Sequence, residues 1–474
     1  MRKQKWNRLV AGALGVALVG AAVSSASGAA AAETSAARST AADAALAAGL
    51  QRAVDGQQFA QVLDTTPPDS AAAAQLYRTE LAPSEEKSGT VKTLAAAEPI
   101  HQTPQLDASV IKLDRSGRPV AAADVLLSPQ YPNGKVVALD ANLFTDQVRW
   151  RQWDDATWDD NNGQGTTDVV PGRESAPIDF MSPYPASTLK LMVAFGILRM
   201  IDAGELTLKD TYTYTPVGTP SSLCGGARSA TTIEQLFDEM ITVSSNPSAC
   251  ALIKLLHDRA KIDGLNQEFV DLGLPTLRLK GTNPNTGGTW GNPVTMSAID
   301  TAKLLLIVNG APGTLWKTPG GAKVTAAALS GTSRSYLRGK LADQGLNQVL
   351  STTNYCGREY PAQGIPQKTP ARWINPADGT VTVAGRYYGQ DVRPCDAAAT
   401  VTFAHKTGLA DTSGNDAGIV KSLPGKPFKS YIVVVHSNLG YRYIDADRAA
   451  DPAGTYPVQY TEKLALLGRA INAL

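Results

Sequence analysis

Hydrophobic and polar positions divide the 474-residue chain into three textures. Arg2, Lys3, Lys5 and Arg8 precede an apolar run of small residues from Leu9 to Val23, and Ala30-Ala31-Ala32 follows. A basic start, a short apolar core and a small-residue exit form the pattern of a cleavable export signal, here residues 1–32. The run is short for a membrane span. From Glu33 to about Ala97 alanine is mixed with Ser, Thr, Pro and charged residues, with few large apolar ones. Such a stretch buries little, so residues 33–109 are expected to be a largely disordered Ala-rich linker, with a marginal helix over 41–52. Apolar periodicity begins near Val110 and continues to the end, which predicts one domain over 110–474.

Within that domain the periods alternate between strand and helix. Val136 to Leu139, after the turn-like Asn133-Gly134, reads as a strand. Leu189 to Ile201 has helical spacing and stops at Gly204. Thr231-Thr232-Ile233-Glu234 has the form of a capping box opening a second helix. Pro247 to Asp258 is a third, with proline in its first turn, and Met296 to Val308 a fourth. Val401 to Phe403 and Tyr431 to Val435 are β-branched or aromatic and read as strands. Thr461 to Leu474 closes the chain as an amphipathic helix. Strands at both ends with helices between predict an α+β domain, an antiparallel sheet packed with a helical cluster.

Charge and cysteine content narrow the chemistry. The formal charge is +1 from 44 basic and 43 acidic residues. Removing the four basic residues of the signal leaves 40 against 43, near −3. This gives no electrostatic basis for nucleic acid or an anionic membrane as partner. Four cysteines in an exported chain suggest two disulfides. Three pairings are open, and proximity favours Cys224–Cys250 with Cys356–Cys395. No Cys or His cluster has metal-ligand spacing, so no metal or other cofactor is expected.

Three short motifs stand in order: Ser187-Thr188-Leu189-Lys190, Ser244-Ser245-Asn246 and Lys406-Thr407-Gly408. Each alone is common. S-x-x-K also occurs at Ser84–Lys87 and Ser109–Lys112, S-x-N at Ser413-Gly414-Asn415, and Lys87-Ser88-Gly89 imitates K-T-G. Only Ser187 opens a long apolar helix, where Lys190 falls one turn on and on the same face. A serine there has free backbone N–H groups and a favourable dipole nearby for developing negative charge.

The ordered trio resembles the signature of serine β-lactamases and penicillin-binding proteins. Tyr184 to Lys190, with Ala203 to Leu208 after it, is similar to the nucleophile helix and its exit in class A β-lactamases. Met240 to Ala249 resembles their S-D-N turn, with Ser245 in place of the usual Asp. Phe403 to Gly408, then Gly414-Asn415-Asp416-Ala417, resembles their K-T-G strand and next turn, and Asn292 to Met296 the start of a late helix. The resemblance spans roughly residues 130–474. It implies a β-lactamase/D,D-peptidase-like fold and a serine acyl-enzyme. Ser187 would be the nucleophile, Lys190 its base, Ser244 the proton relay to the leaving nitrogen, and Lys406 the holder of that relay. Lys406 and Thr407 would bind the substrate carboxylate and Asn246 its side-chain amide. Gly408 would complete the substrate-binding strand, and the backbone N–H groups of Ser187 and Leu409 would form the oxyanion hole.

The sequence departs from that pattern in two places. Class A enzymes carry a deacylating glutamate between the S-D-N turn and the late helix. Here the stretch between Leu272 and Ile299 contains no Asp or Glu. An acid from the Asp154-Asp155 to Asp159-Asp160 cluster, or Lys190 itself, is left as a substitute. The chain between Asn246 and Lys406 is also long, and the surplus is placed at about 331–396 as a disulfide-stapled insertion beside the site. The expected activity is that of a secreted, monomeric serine hydrolase without a membrane anchor, acylated by β-lactams and hydrolysing them slowly. The alternatives are a D,D-carboxypeptidase or penicillin-binding protein acting on cell-wall peptide, a non-catalytic β-lactam or muropeptide sensor, and an esterase using the same serine–lysine pair.

Overall fold

The computed structural model describes residues 40–64, 98–99, 104–154, 163–288, 290–291, 293–345, 349–352, 363–387, 391–410, 412–440, 443–445 and 459–474. The expected signal at 1–32, Ser84–Lys87, the acids at 155 and 159–160, and Cys356 lie outside these residues.

The first element is a helix inside the stretch expected to be a linker. α1 (Thr40–Asp55) places Leu46, Leu50 and Val54 at i, i+4, i+8, and all three are buried against the sheet. The expectation of a linker over 33–109 is corrected accordingly. An Ala-rich composition hid a narrow stripe of large residues, and that stripe suffices once a sheet face is available to cover it. The short strands Val62–Asp64, Glu98–Pro99 and Tyr443–Asp445 also pair in a small antiparallel sheet.

The main sheet comes from both halves of the chain. β1 (Leu106–Leu113), β2 (Pro119–Ser128) and β3 (Tyr131–Val137) form a meander. β1 thus starts four residues before the expected domain boundary. Asn133-Gly134 lies inside β3, not in a turn before it. Gly134 N–H donates to Asp55 Oδ1 and its carbonyl accepts from Gln51 Nε2, both at 2.6 Å. α1 therefore satisfies the backbone that the composition assigned to a turn. A Cβ on Gly134 would also lie 2.9 Å from Val125 Cγ1.

Next, β4 (Val148–Arg151) pairs in parallel with β5 (Ile178–Met181), and Trp150 packs edge-on to Phe180. The helical cluster follows: α2 (Lys190–Asp202), α3 (Ile233–Thr242), α4 (Asn246–Asp258), α5 (Ile262–Asp271), α6 (Ala298–Asn309) and α7 (Gly331–Ala342). α2 is buried on nearly all sides from Lys190 to Leu198, as a central helix must be. α3 is capped by Thr232, one residue later than the capping box predicted, through Gln235 N–H. β6 (Val401–Ala410), β7 (Ser413–Ser422) and β8 (Ser430–Ser437) complete the sheet, and α8 (Gln459–Ala473) ends the chain.

The sheet order is β6-β7-β8-β1-β2-β3, antiparallel throughout. Alternation sorts its residues onto two cores. Tyr431, Val433 and Val435 face α1 and α8, while Ile432 and Val434 face the helical cluster. Burial on both faces explains why these strands read as continuous apolar runs. The six-stranded antiparallel sheet packed with helices agrees with the predicted α+β class.

α7 packs on α3, α6 and β6, so it belongs to the helical cluster. The insertion therefore starts after Ala342 and reaches β6 at Val401, rather than spanning 331–396. Its described residues touch the sheet at the start of β6, where Gln367 bridges to Val401, and on β7, where Leu350 N–H donates to Asp416 Oδ2.

Candidate active site

The local chain explains why Ser187 stands where it does. Pro185 leads into a single 3-10 turn, Ala186–Leu189, which continues as α2. Ala186 holds φ at +44°, a strained value for a residue with a Cβ. Ser187 is partly exposed at the cleft, and Lys190, one turn on, is fully buried. The turn is held from behind by β7, where Ser413 Oγ and Asn415 Nδ2 both donate to the Tyr184 carbonyl. Asn415 Nδ2 also reaches the Gly408 carbonyl at 3.2 Å. The decoy motif Ser413-Gly414-Asn415 is thus a clamp between the Ser187 turn and β6.

The second motif is brought in by the α3–α4 turn. Ser244 has φ +56°. Ser245, in the position usually taken by Asp, caps α4 by accepting from Ser248 N–H. Asn246 is the first helical residue, not the cap. The third motif lies on β6, the edge strand.

Together the three motifs form one hydrogen-bonded chain. Lys190 Nζ lies within hydrogen-bonding distance of Ser187 Oγ at 3.0 Å, Ser244 Oγ at 3.1 Å, the Ser244 carbonyl at 2.5 Å and Asn246 Oδ1 at 2.7 Å; as a neutral amine it donates to the two carbonyl oxygens and can accept from Ser187 Oγ. Lys406 Nζ donates to Ser244 Oγ at 2.9 Å and to the Thr407 carbonyl at 2.8 Å. Ser244 Oγ therefore lies between two lysines. Burial, reinforced by the charge of Lys406, holds Lys190 well below the usual lysine range. Burial also brings Lys406 down to about 7, opposed by the carboxylate of Asp416. A lysine with a lowered pKa can accept a proton from a neighbouring hydroxyl at neutral pH.

Gly408 meets the Ser187 turn backbone to backbone. A Cβ there would lie 2.4 Å from Pro185 O, 2.9 Å from Thr188 N and 3.1 Å from Ser187 N. Only glycine lets β6 approach this closely. Leu409 packs its side chain against the core under α1 and α8, so any contribution to the cleft comes from its backbone.

The wall opposite Lys190 is aromatic. The Trp290 ring centroid lies 5.5 Å from Lys190 Nζ. Its Nε1 donates to the Gly287 carbonyl at 2.8 Å, and Tyr184 OH reaches its carbonyl at 3.4 Å. Gly287 has φ +68°, and a Cβ there would collide with the Cys250 carbonyl of α4. The loop is thus pressed onto the Cys224–Cys250 disulfide, which pairs as expected. Cys395 is also disulfide-bonded. Among the described residues no carboxylate is hydrogen-bonded to Ser187, Lys190 or Ser244. Nor does any group of described residues have the makeup of a metal site, or any described helix the length and apolarity to cross a membrane.

The structure brings Ser187, Lys190, Ser244, Asn246 and Lys406, named from the sequence, within hydrogen-bonding distance of one another in one chain of contacts. Sequence reasoning assigned no role to Trp290, Asn415 or Gln344. Gly-Gly at 287–288 was the available sign that a loop packs tightly before Trp290. Gln344, fully buried, donates through Nε2 to Thr407 Oγ1 at 3.3 Å and had no sequence signal of its own.

Residues 181–346 match the model of a family described as the Beta-lactamase enzyme family. Comparison with curated proteins finds no match. Similar solved structures include PBP-A, at 17% identity over 78% of this chain and 91% of that one, with a TM-score of 0.40. A β-lactamase from Chitinophaga pinensis DSM 2588 is 15% identical over 78% and 92%, with a TM-score of 0.39. Another from Xanthomonas campestris pv. campestris str. ATCC 33913 is 16% identical over 78% and 93%, also at 0.39.

Proposed function

From the β-lactamase/penicillin-binding-protein-like serine hydrolase fold of this chain, we propose that Ser187 forms an acyl-enzyme with β-lactams. The observation that carries this reading is the unbroken contact chain Ser187–Lys190–Ser244–Lys406. Ser187 Oγ adds to the β-lactam carbonyl and gives its proton to neutral Lys190. The negative charge on the carbonyl oxygen is met by the N–H groups of Ser187 and Leu409. As the C–N bond breaks, Ser244 gives its proton to the leaving nitrogen and is reprotonated from the lysines beside it. Lys406 and Thr407 hold the substrate carboxylate. Asn246 is engaged with Lys190, so it serves the base as well as the acyl side chain.

Hydrolysis of the resulting ester is slow in this reading. Lys190 faces Trp290 where a water-activating acid would be useful. A single missing general base is worth about 10²–10⁴ in rate. That same observation favours, as a second reading, a D,D-peptidase or penicillin-binding role on cell-wall peptides. The disulfides fit a compartment outside a reducing cytoplasm.

The test mixes the purified protein with a chromogenic cephalosporin and follows colour and intact mass together. A stoichiometric burst with a persistent adduct on Ser187 is expected. Sustained turnover without an adduct overturns slow deacylation, and no reaction at all overturns acyl transfer. Release of D-Ala from a D-Ala-D-Ala peptide separates the second reading from the first.

A further inference from the structure

The insertion is built into the end of the cleft. Immediately after α7, Gly345 N–H donates to the carbonyl of Thr242 at 2.9 Å, two residues before Ser244. In the same turn Gln344 donates to Thr407 Oγ1. One three-residue turn thus ties the segment carrying Ser244 to the strand carrying Lys406 and Thr407.

Described residues later in the insertion brace this turn. Trp373 Nε1 donates to the Asp343 carbonyl at 2.8 Å. The Arg372 guanidinium stacks 4.4 Å above the Trp373 ring and pairs with Asp238 of α3 at 3.0 and 3.1 Å and with Asp343 at 3.3 Å. Val243, adjacent to Ser244, packs into a small apolar core with Trp373 and three buried valines of the insertion. A Cβ on Gly345 would lie 2.6 Å from Trp373 Nε1, so the turn and the brace are fitted closely.

We infer that Gln344 is a positioning residue of the carboxylate-binding end of the cleft, holding the Thr407 hydroxyl for substrates that carry a free carboxylate, with the insertion as its brace. This rests on the acyl-transfer reading above. The amide N–H of Gln344 engages the Thr407 oxygen as an acceptor. The Gln344 contact thereby fixes the χ1 orientation of Thr407 and the place its hydroxyl oxygen takes beside Lys406. A buried amide loses side-chain freedom in a packed turn, so the hydroxyl is oriented before substrate arrives. The insertion then sets substrate selection without supplying a reacting group.

The experiment compares benzylpenicillin with its methyl ester, which lacks the carboxylate charge. Second-order rates of adduct formation are measured for the unsubstituted protein, Gln344→Met and Gln344→Glu. Met keeps length and apolar bulk but has no N–H to donate. The expected result for Gln344→Met is a loss of about tenfold for the free acid with little change for the ester, the scale of one hydrogen bond. Gln344→Glu places a like charge beside the carboxylate and is expected to lower the free-acid rate further. The ratio of the two substrates within one preparation does not depend on the folded fraction, so partial misfolding leaves the test intact. Equal losses on acid and ester, or no loss, overturn the inference and reduce Gln344 to packing. Absence of any adduct in the unsubstituted protein overturns the acyl-transfer reading instead.

Discussion

Gly408→Ala adds one methyl group at the point where β6 meets the Ser187 turn. The three atoms nearest the new Cβ all belong to backbone: Pro185 O at 2.4 Å, Thr188 N at 2.9 Å and Ser187 N at 3.1 Å. None can rotate away, so the strand or the turn must retreat by roughly half an ångström or more before contact distances become normal. The turn is fixed by Ser413 and Asn415 through the Tyr184 carbonyl. The strand is held by its ladder with β7 over all ten residues from Val401 to Ala410. Either retreat separates the N–H of Ser187 from that of Leu409. Loss of one oxyanion donor is worth about 10²–10³ in rate, or about 2.7–4 kcal/mol of barrier. Overpacking of this kind costs about 1–3 kcal/mol in stability. Adduct formation with a fluorescent penicillin should therefore slow by about two to three orders of magnitude, in a protein that still melts cooperatively. The assay is time-resolved labelling read by intact mass, with thermal melting as the folding control. A folded Gly408→Ala protein acylating at nearly the unsubstituted rate would refute the reasoning, because the pair of backbone donors would then not be where the site needs them.

Three further outcomes are expected. Lys406 titrates at about 7 when folded, so its positive charge is present below that pH and lost as pH rises through it. The rate of acylation by a free-acid penicillin should therefore fall above about pH 7, while the rate for the methyl ester declines less; a flat free-acid profile across roughly pH 6 to 9 would contradict the assignment of the carboxylate to Lys406. Asn415→Ala removes the clamp between the Tyr184 and Gly408 carbonyls and leaves buried groups unpaired, with an expected cost of about 1–3 kcal/mol in a denaturant melt and slower acylation. Replacing Cys224 and Cys250 together by Ser opens a cross-link between residues 26 apart. It should cost about 2–4 kcal/mol, read as a lowered melting temperature under non-reducing conditions.

The three motifs were legible because their spacing is short and the surroundings of the first are periodic. Ser187 and Lys190 need only one helical turn to meet, and an apolar helix follows them. The centre of β8, Tyr431 to Val435, was equally clear, since burial on both faces leaves it without a polar residue, whereas β6 was legible only at its start, Val401 to Phe403. α1 was legible only as a marginal helix over 41–52, because its stripe of Leu46, Leu50 and Val54 has meaning only against a sheet assembled later in the chain. The same reason hid the true extent of the insertion. α7 is polar enough to look like surplus, and its place between α3, α6 and β6 depends on contacts distant in sequence.

By itself, the order of residues determined the fold class, the identity of the candidate nucleophile and its lysine, and the absence of a carboxylate from the loop before α6. These follow from local periodicity and from which side chains can do acid–base chemistry. Only the tertiary structure decided that Ser244 Oγ lies between two lysines, that Trp290 faces Lys190, and that Gln344 reaches Thr407. Burial lowers the pKa of Lys190 and Lys406, and burial is a property of the packed whole. A motif names the groups. Desolvation and distances of about 3 Å between atoms that lie far apart along the chain set the proton affinity and the partners of those groups.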